Sequence, residues 1–193
     1  MARADDRIPP KEILESQYQK AVRKHDILRA LILTLGILIT VSAAATVSAS
    51  LFIQILRIEG SSMADTLWEG DLVVVIDDLP IEKGDIIACR YEDDILVKRV
   101  IATGGDLVDI EADGTVIVNG SPLEEPYLTE KSMGSCSIPL PCRVPEGESF
   151  VMGDHRTVSI DSRNEAIGCI DDNEMIGKVI FRIWPLRGLG TVE

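Results

Sequence analysis

Ser62 stands a few residues beyond a long apolar stretch, and Lys98-Arg99 follows it in the chain. Serine supplies a hydroxyl nucleophile, and a lysine with a neutral amine can take its proton, so such a pair needs no histidine. Of the two histidines, His25 lies on the opposite side of the apolar stretch, which leaves His155 as the one imidazole on the serine's side. A lysine acts as a base only when neutral, so its usual pKa of about 10.4 must fall. Burial among Leu96, Val97 and Val100 is the means the sequence offers. A fall of about two units is nearly 3 kcal/mol of differential stabilisation, which requires a dry site.

The elements that position this pair begin with the apolar stretch. From Ala30 to Leu56 there is no charged residue, long enough for one transmembrane helix and longer than the apolar core of a cleaved leader. Lys20, Arg23, Lys24 and Arg29 precede it, so the positive-inside rule predicts a cytoplasmic tail over residues 1–29 and an extracytoplasmic domain over 57–193, with 30–56 crossing the cell membrane once. Ile13, Leu14, Tyr18, Ala21, Val22 and Ile27 space an amphipathic helix before the span, and Met1–Pro10 reads as disordered. The tail carries seven basic and five acidic residues against a total of −13, so the outer part is strongly acidic, which disfavours nucleic acid as a partner. Lipid is the expected contact of the span.

Beyond the span, short β-branched runs alternate with turns. Leu72–Ile76, Asp85–Cys89, Ile95–Val97 and Thr115–Val118 read as strands, separated by Gly70-Asp71, Gly104-Gly105-Asp106, Asp113-Gly114 and Asn119-Gly120. Their close spacing predicts a mostly β domain of antiparallel sheets rather than βαβ units. The expected organisation is a catalytic sheet from about 57–102 and 150–184, with an inserted β subdomain over about 103–149.

Four cysteines lie in the outer part, where an oxidising compartment permits disulfides. Cys136 and Cys142 bracket a short loop that a bridge can close, and Cys89 with Cys169 is a weaker second pair. The cysteines lack paired CxxC spacing, so no metal is expected.

The run Gly60-Ser61-Ser62-Met63-Ala64-Asp65-Thr66-Leu67 resembles the serine box of bacterial type I signal peptidases. Leu96-Val97-Lys98-Arg99-Val100 running into Gly104-Gly105-Asp106 is similar to the family's lysine box, and Gly153-Asp154 through Asp161-Ser162-Arg163 to its third box. The similarity extends to the closing strand around Ile176–Leu186. The resemblance implies a serine endopeptidase of the Ser-Lys dyad type, a hydrolase without cofactor, that removes N-terminal signal peptides from exported preproteins through an acyl-enzyme.

Carried onto this chain, the resemblance implies that Ser62 is the nucleophile, in preference to Ser61, and Lys98 its base. It places the oxyanion between the Ser62 amide and a contribution from Gly60, where a hydroxyl is absent. It makes Asp161 and Arg163 a bracing ion pair, and Ser159 a hydrogen-bond partner that orients Lys98. Leu56, Ile58, Gly60 and Ser62 share one face of an extended strand, and with Met63, Ile95 and Val97 they line a shallow groove. A signal-peptide segment can add there as a strand, with small side chains in two pockets. Asp65 stands where the family has proline and His155 where it has asparagine. These departures favour, as one alternative, a processing peptidase for a narrow pilin-like or conjugation substrate; a noncatalytic factor for surface-protein assembly is a second, against which the retained Ser62 and Lys98 argue.

Overall fold

Residues 11–52 form one helix, α1 (Lys11–Phe52), in the computed structural model, which describes residues 11–192. At a rise of 1.5 Å per residue it is about 60 Å long. Within it, Tyr18–Val47 is long and apolar enough to cross a membrane, and its described side chains are exposed. The amphipathic lead-in is continuous with the span instead of forming a helix of its own. The expectation for Met1–Pro10 lies outside the described residues.

The helix expected to reach Leu56 ends four residues earlier, at Phe52. Ile53–Arg57 is strand β1, paired antiparallel with β2 (Leu72–Ile76) from Ile53 opposite Ile76 to Arg57 opposite Leu72. Hydropathy does not separate an apolar strand from the end of an apolar helix, and the sheet's hydrogen bonds decide the matter. The chain divides into two compact units at Ser50 and Leu51, and all further elements belong to the second.

That unit is built of antiparallel sheets. The larger one takes the order β1, β2, β11 (Met175–Trp184), β3 (Ile86–Tyr91), β4 (Asp94–Thr103), β9 (Glu148–Met152), β10 (Ile170–Asp171), with β12 (Gly190–Thr191) on β11. The smaller one is ordered β7 (Ser121–Pro122), β6 (Val116–Val118), β5 (Leu107–Ile110), β8 (Cys142–Arg143), all from the segment between β4 and β9. Strands β3 and β4 are buried on both faces over Ile86–Cys89 and Lys98–Ala102 and exposed toward the turn that joins them. One apolar cluster, with Leu67, Val73, Val75 and Val179, lies beneath β1 and β2; another, with Val108, Val116, Phe150 and Met152, joins the smaller sheet to the larger. Lys98 stands in the middle of β4, paired with Ile87 of β3, and the pairing of β4 with β9 begins at the next residue, Arg99.

The cysteine pairing differs from expectation, since all four thiols are free. The Ser137 and Ile138 amides donate to the Arg163 carbonyl, which draws the residues after Cys136 toward the third box, while Cys142 is held in β8 opposite Val108. The Cys142 thiol instead donates to the Arg143 carbonyl at 3.8 Å, and the Cys169 thiol is pushed up to about 12, first by burial and then by the neighbouring Cys142. Cys89 is fully buried in β3 and its thiol is pushed up to about 11, first by burial.

Candidate active site

Each reacting side chain is placed by a different local rule. β1 ends at Arg57, and Gly60, at φ +75°, turns the chain out of the extended conformation, a backbone state suited to glycine. Ser62 therefore lies in a turn rather than on the continued strand face that alternation from Leu56 predicts. The turn is closed by Ala64 N donating to Ser61 O at 3.0 Å and Leu67 N to Met63 O at 2.7 Å. Met63 and Leu67 are buried beneath it and anchor the loop to the core.

Lys98 reaches the same point from β4, where its Nζ donates to Ser62 Oγ at 2.7 Å. The residue is 3% exposed. Burial pushes its amine below the ordinary lysine value of 10.5, and the positive Arg163 works in the same direction, against the upward pull of Asp161, Cys89 and Asp154. The Ser62 amide donates to none of the described backbone carbonyls.

Two buried ion pairs brace this arrangement. Arg99, next to the lysine in sequence, clasps Asp154 through Nε to Oδ1 at 2.9 Å and Nη2 to Oδ2 at 2.8 Å. Arg163 clasps Asp161 through Nε and Nη2, each at 2.8 Å, and Asp161 also accepts from the Gly153 amide at 2.9 Å. Burial pushes the Asp161 carboxyl up, but Arg163 and these donors outweigh it and hold the group below the usual carboxylate value. Bidentate guanidinium contacts in a dry interior make a far stronger brace than an exposed pair. Ser159 is buried within the same site, yet its hydroxyl completes no hydrogen bond of ordinary geometry with a described residue. The expected Ser159–Lys98 bond is thus not formed; Lys98 points at Ser62, and the Ser159 dipole acts on Asp161.

The two departures from the family pattern are both engaged. Asp65 accepts from the Thr129 amide at 3.1 Å, and hydrogen bonding from Thr129 is the main cause that lowers its carboxyl pKa. His155 donates its amide to Ser62 O at 3.0 Å, and its Nδ1 lies 3.2 Å from Ser61 O. The chain entering and leaving the serine is thus held by the third box.

An open groove of ≈ 620 Å³ runs up to Ser62 and Lys98. Leu56, Ile58, Met63, Ile95 and Val97 all line it, with Gly60 at the serine end. Ile58 and Met63 are also core residues, so they form its floor, whereas Ile95 is half exposed on the far wall. Sequence reasoning gave no role to Arg99, Asp154, Thr66, Glu125, Tyr127 or Arg156. The signal for the first two lay in the boxes themselves; Glu125 and Tyr127 sit in the inserted segment and carried none.

A serine hydroxyl 2.7 Å from a buried lysine amine on an antiparallel β scaffold is an arrangement that a serine hydrolase can use. Residues 28–184 match the model of the family described as signal peptidase, peptidase S26. The chain is 36% identical over 171 residues to signal peptidase I of Bacillus licheniformis, covering 82% of this chain and 90% of that one. It is 36% identical over 148 residues to signal peptidase IB of Staphylococcus aureus, covering 66% and 76%. To signal peptidase I of Streptococcus pneumoniae it is 29% identical over 195 residues, covering 81% and 94%. The crystal structure of a signal peptidase I from Enterococcus faecalis aligns with 52% of this chain and 97% of its own at TM-score 0.42 and 27% identity. The chain belongs to the signal peptidase (peptidase S26) family; it is a serine peptidase that cleaves signal peptides.

Proposed function

We propose that the chain is a membrane-anchored endopeptidase that releases exported preproteins by a Ser62–Lys98 dyad through an acyl-enzyme. The observation that carries this reading is the 2.7 Å approach of a 3% exposed lysine amine to the serine hydroxyl oxygen. Neutral Lys98 Nζ takes the Ser62 hydroxyl proton while Oγ attacks the scissile carbonyl carbon. The resulting oxyanion faces the Ser62 amide, with the Gly60 region alongside. Collapse breaks the C–N bond, and the Lys98 ammonium returns its proton to the departing amine, the new N-terminus. Water then attacks the ester with Lys98 again as base, freeing the signal peptide as a carboxylate.

The groove along Leu56, Ile58, Ile95 and Val97 suits an extended peptide approaching the serine. α1 serves as the anchor, with the basic cluster Lys20, Arg23, Lys24 and Arg29 on the cytoplasmic side and the β unit outside. A preprotein held by its own apolar segment then presents its cleavage site near the same surface.

The test incubates detergent-solubilised wild type, Ser62→Ala and Lys98→Ala with a preprotein and sequences the new N-terminus. A cut after a small residue, lost in both variants, is the expected result. Activity persisting in Lys98→Ala removes the lysine from the mechanism.

A further inference from the structure

We propose that Glu125, in the inserted segment, is a positioning residue for the dyad, acting through Arg156 on the nucleophile loop and through Tyr127 on the lysine strand. The proposal rests on the Ser62–Lys98 reading given above. Glu125 has a completely buried side chain, and its carboxylate takes both terminal nitrogens of Arg156, whose side chain is equally inaccessible. Arg156 Nε in turn donates to the Gly153 carbonyl at 3.1 Å. Gly153 is the tightest point behind the serine, because a Cβ there would overlap Ser62 O and Ser159 Oγ. A shift of Gly153 is therefore a shift of the serine.

The second arm starts from the same carboxylate. Tyr127 donates its hydroxyl to Glu125 Oε1 at 3.0 Å, and the Arg99 guanidinium lies 3.8 Å from the centre of the Tyr127 ring. Arg99 is the residue after Lys98 and also clasps Asp154, next to Gly153. The contacts close into a ring from Glu125 through Arg156, Gly153-Asp154, Arg99 and Tyr127 back to Glu125. The reacting atoms hang from two points of that ring, so one carboxylate fixes their separation.

A buried ion pair contributes little net stability compared with apolar side chains of the same volume, because desolvation offsets its attraction. Its specific geometry is what an apolar replacement cannot supply. The ring thus gives the inserted segment, through the loop after β7, a catalytic purpose besides packing.

The test compares wild type with Glu125→Gln, with Tyr127→Phe, and with the volume-matched apolar pair Glu125→Leu/Arg156→Met. Denaturant unfolding, kcat, KM on a signal-peptide substrate, and titration of the Lys98 side chain by isotope-edited NMR are read for each. Misplacement of the dyad predicts a ten- to hundred-fold loss of kcat with KM within about twofold for Glu125→Gln, and a smaller loss for Tyr127→Phe. It also predicts a Lys98 titration moved up toward the free lysine value as water reaches the amine. The apolar pair is expected to be folded yet as slow as Glu125→Gln. Full kcat in the folded apolar pair, or a kcat loss in every variant that matches its unfolded fraction, overturns the proposal. An inactive wild type with a depressed Lys98 titration that Glu125→Gln raises would instead overturn the peptidase mechanism while leaving the positioning role intact.

Discussion

Lys98 Nζ and Ser62 Oγ are 2.7 Å apart, although the two residues come from a tight turn and a central strand separated by 36 positions. Burial, the largest influence on the amine, favours its neutral form. The rate should therefore rise with pH along a limb whose midpoint lies below the ordinary lysine value. A profile of kcat/KM against pH checks this, and a midpoint at about 10.4 or above would contradict it.

The same burial makes Lys98 a stability cost. Its folded pKa is below its unfolded one, so at any pH beneath the folded value the unfolded chain holds the proton more readily and the full penalty applies. The penalty shrinks as pH rises through the window between the two values and vanishes above 10.5. Lys98→Met should abolish cleavage yet raise unfolding stability near neutral pH by roughly 0.5–2 kcal/mol. Chemical denaturation of the two proteins at pH 6 and pH 10 should show the gap narrowing at the higher pH.

Asp161→Asn leaves Arg163 buried with its charge uncompensated, which should destabilise the domain by roughly 3–5 kcal/mol. The folded Asp161 carboxyl is depressed, so its stabilisation is present above the unfolded value near 3.9 and lost as pH falls through the folded one. Acid titration of stability should accordingly be steeper in wild type than in Asp161→Asn. Equal slopes would show that the carboxylate does not carry this linkage.

Gly153→Ala introduces a Cβ against Ser62 O and Ser159 Oγ, where backbone and a buried hydroxyl leave it no space. Displacement of the nucleophile by even about 1 Å can cost on the order of a hundred-fold in rate. Steady-state kinetics of the folded variant should show the loss in kcat, and wild-type kcat would mean that the serine loop relaxes freely.

Mild oxidation of the purified protein should join Cys142 to Cys169, which lies near enough to feel Cys142 electrostatically, and leave Cys136 open to alkylation. Cleavage after Lys131, Arg143, Arg163 and Lys178 places Cys136 and Cys142 in one peptide and Cys169 in another. Mass spectrometry then distinguishes the cross-link between peptides from an internal Cys136–Cys142 loop. The internal loop as the main product would reverse the pairing.

Much of the β unit was legible because strands and turns are local: Leu72–Ile76 and the run around Ile95–Val97 show their β-branched character in a few residues, and both are strands. The groove residues were legible for the same reason up to Ile58, since alternation holds while the backbone is extended. It fails at Gly60, where a positive φ turns the serine off the strand face. The helix end was misplaced because Ile53–Leu56 is apolar enough for either structure, and only β2 could claim it. Cys142 looked nearest to Cys136 in the chain, but strand pairing fixes it opposite Val108, and its influence falls on Cys169 instead.

By itself the sequence determined that one apolar helix leads into short antiparallel strands, and that Ser62 and Lys98 are the residues able to react. The helix and strands follow from composition and period, and the expected reacting pair from boxes that resemble those of the family, all of them properties of short stretches. Tertiary structure alone decided that the two meet at 2.7 Å in a dry site, that Ser159 does not orient the lysine, and that Glu125 and Tyr127 tie an inserted segment to both. Those relationships join residues tens of positions apart, and their distances are set by how whole sheets pack rather than by any local preference of the chain.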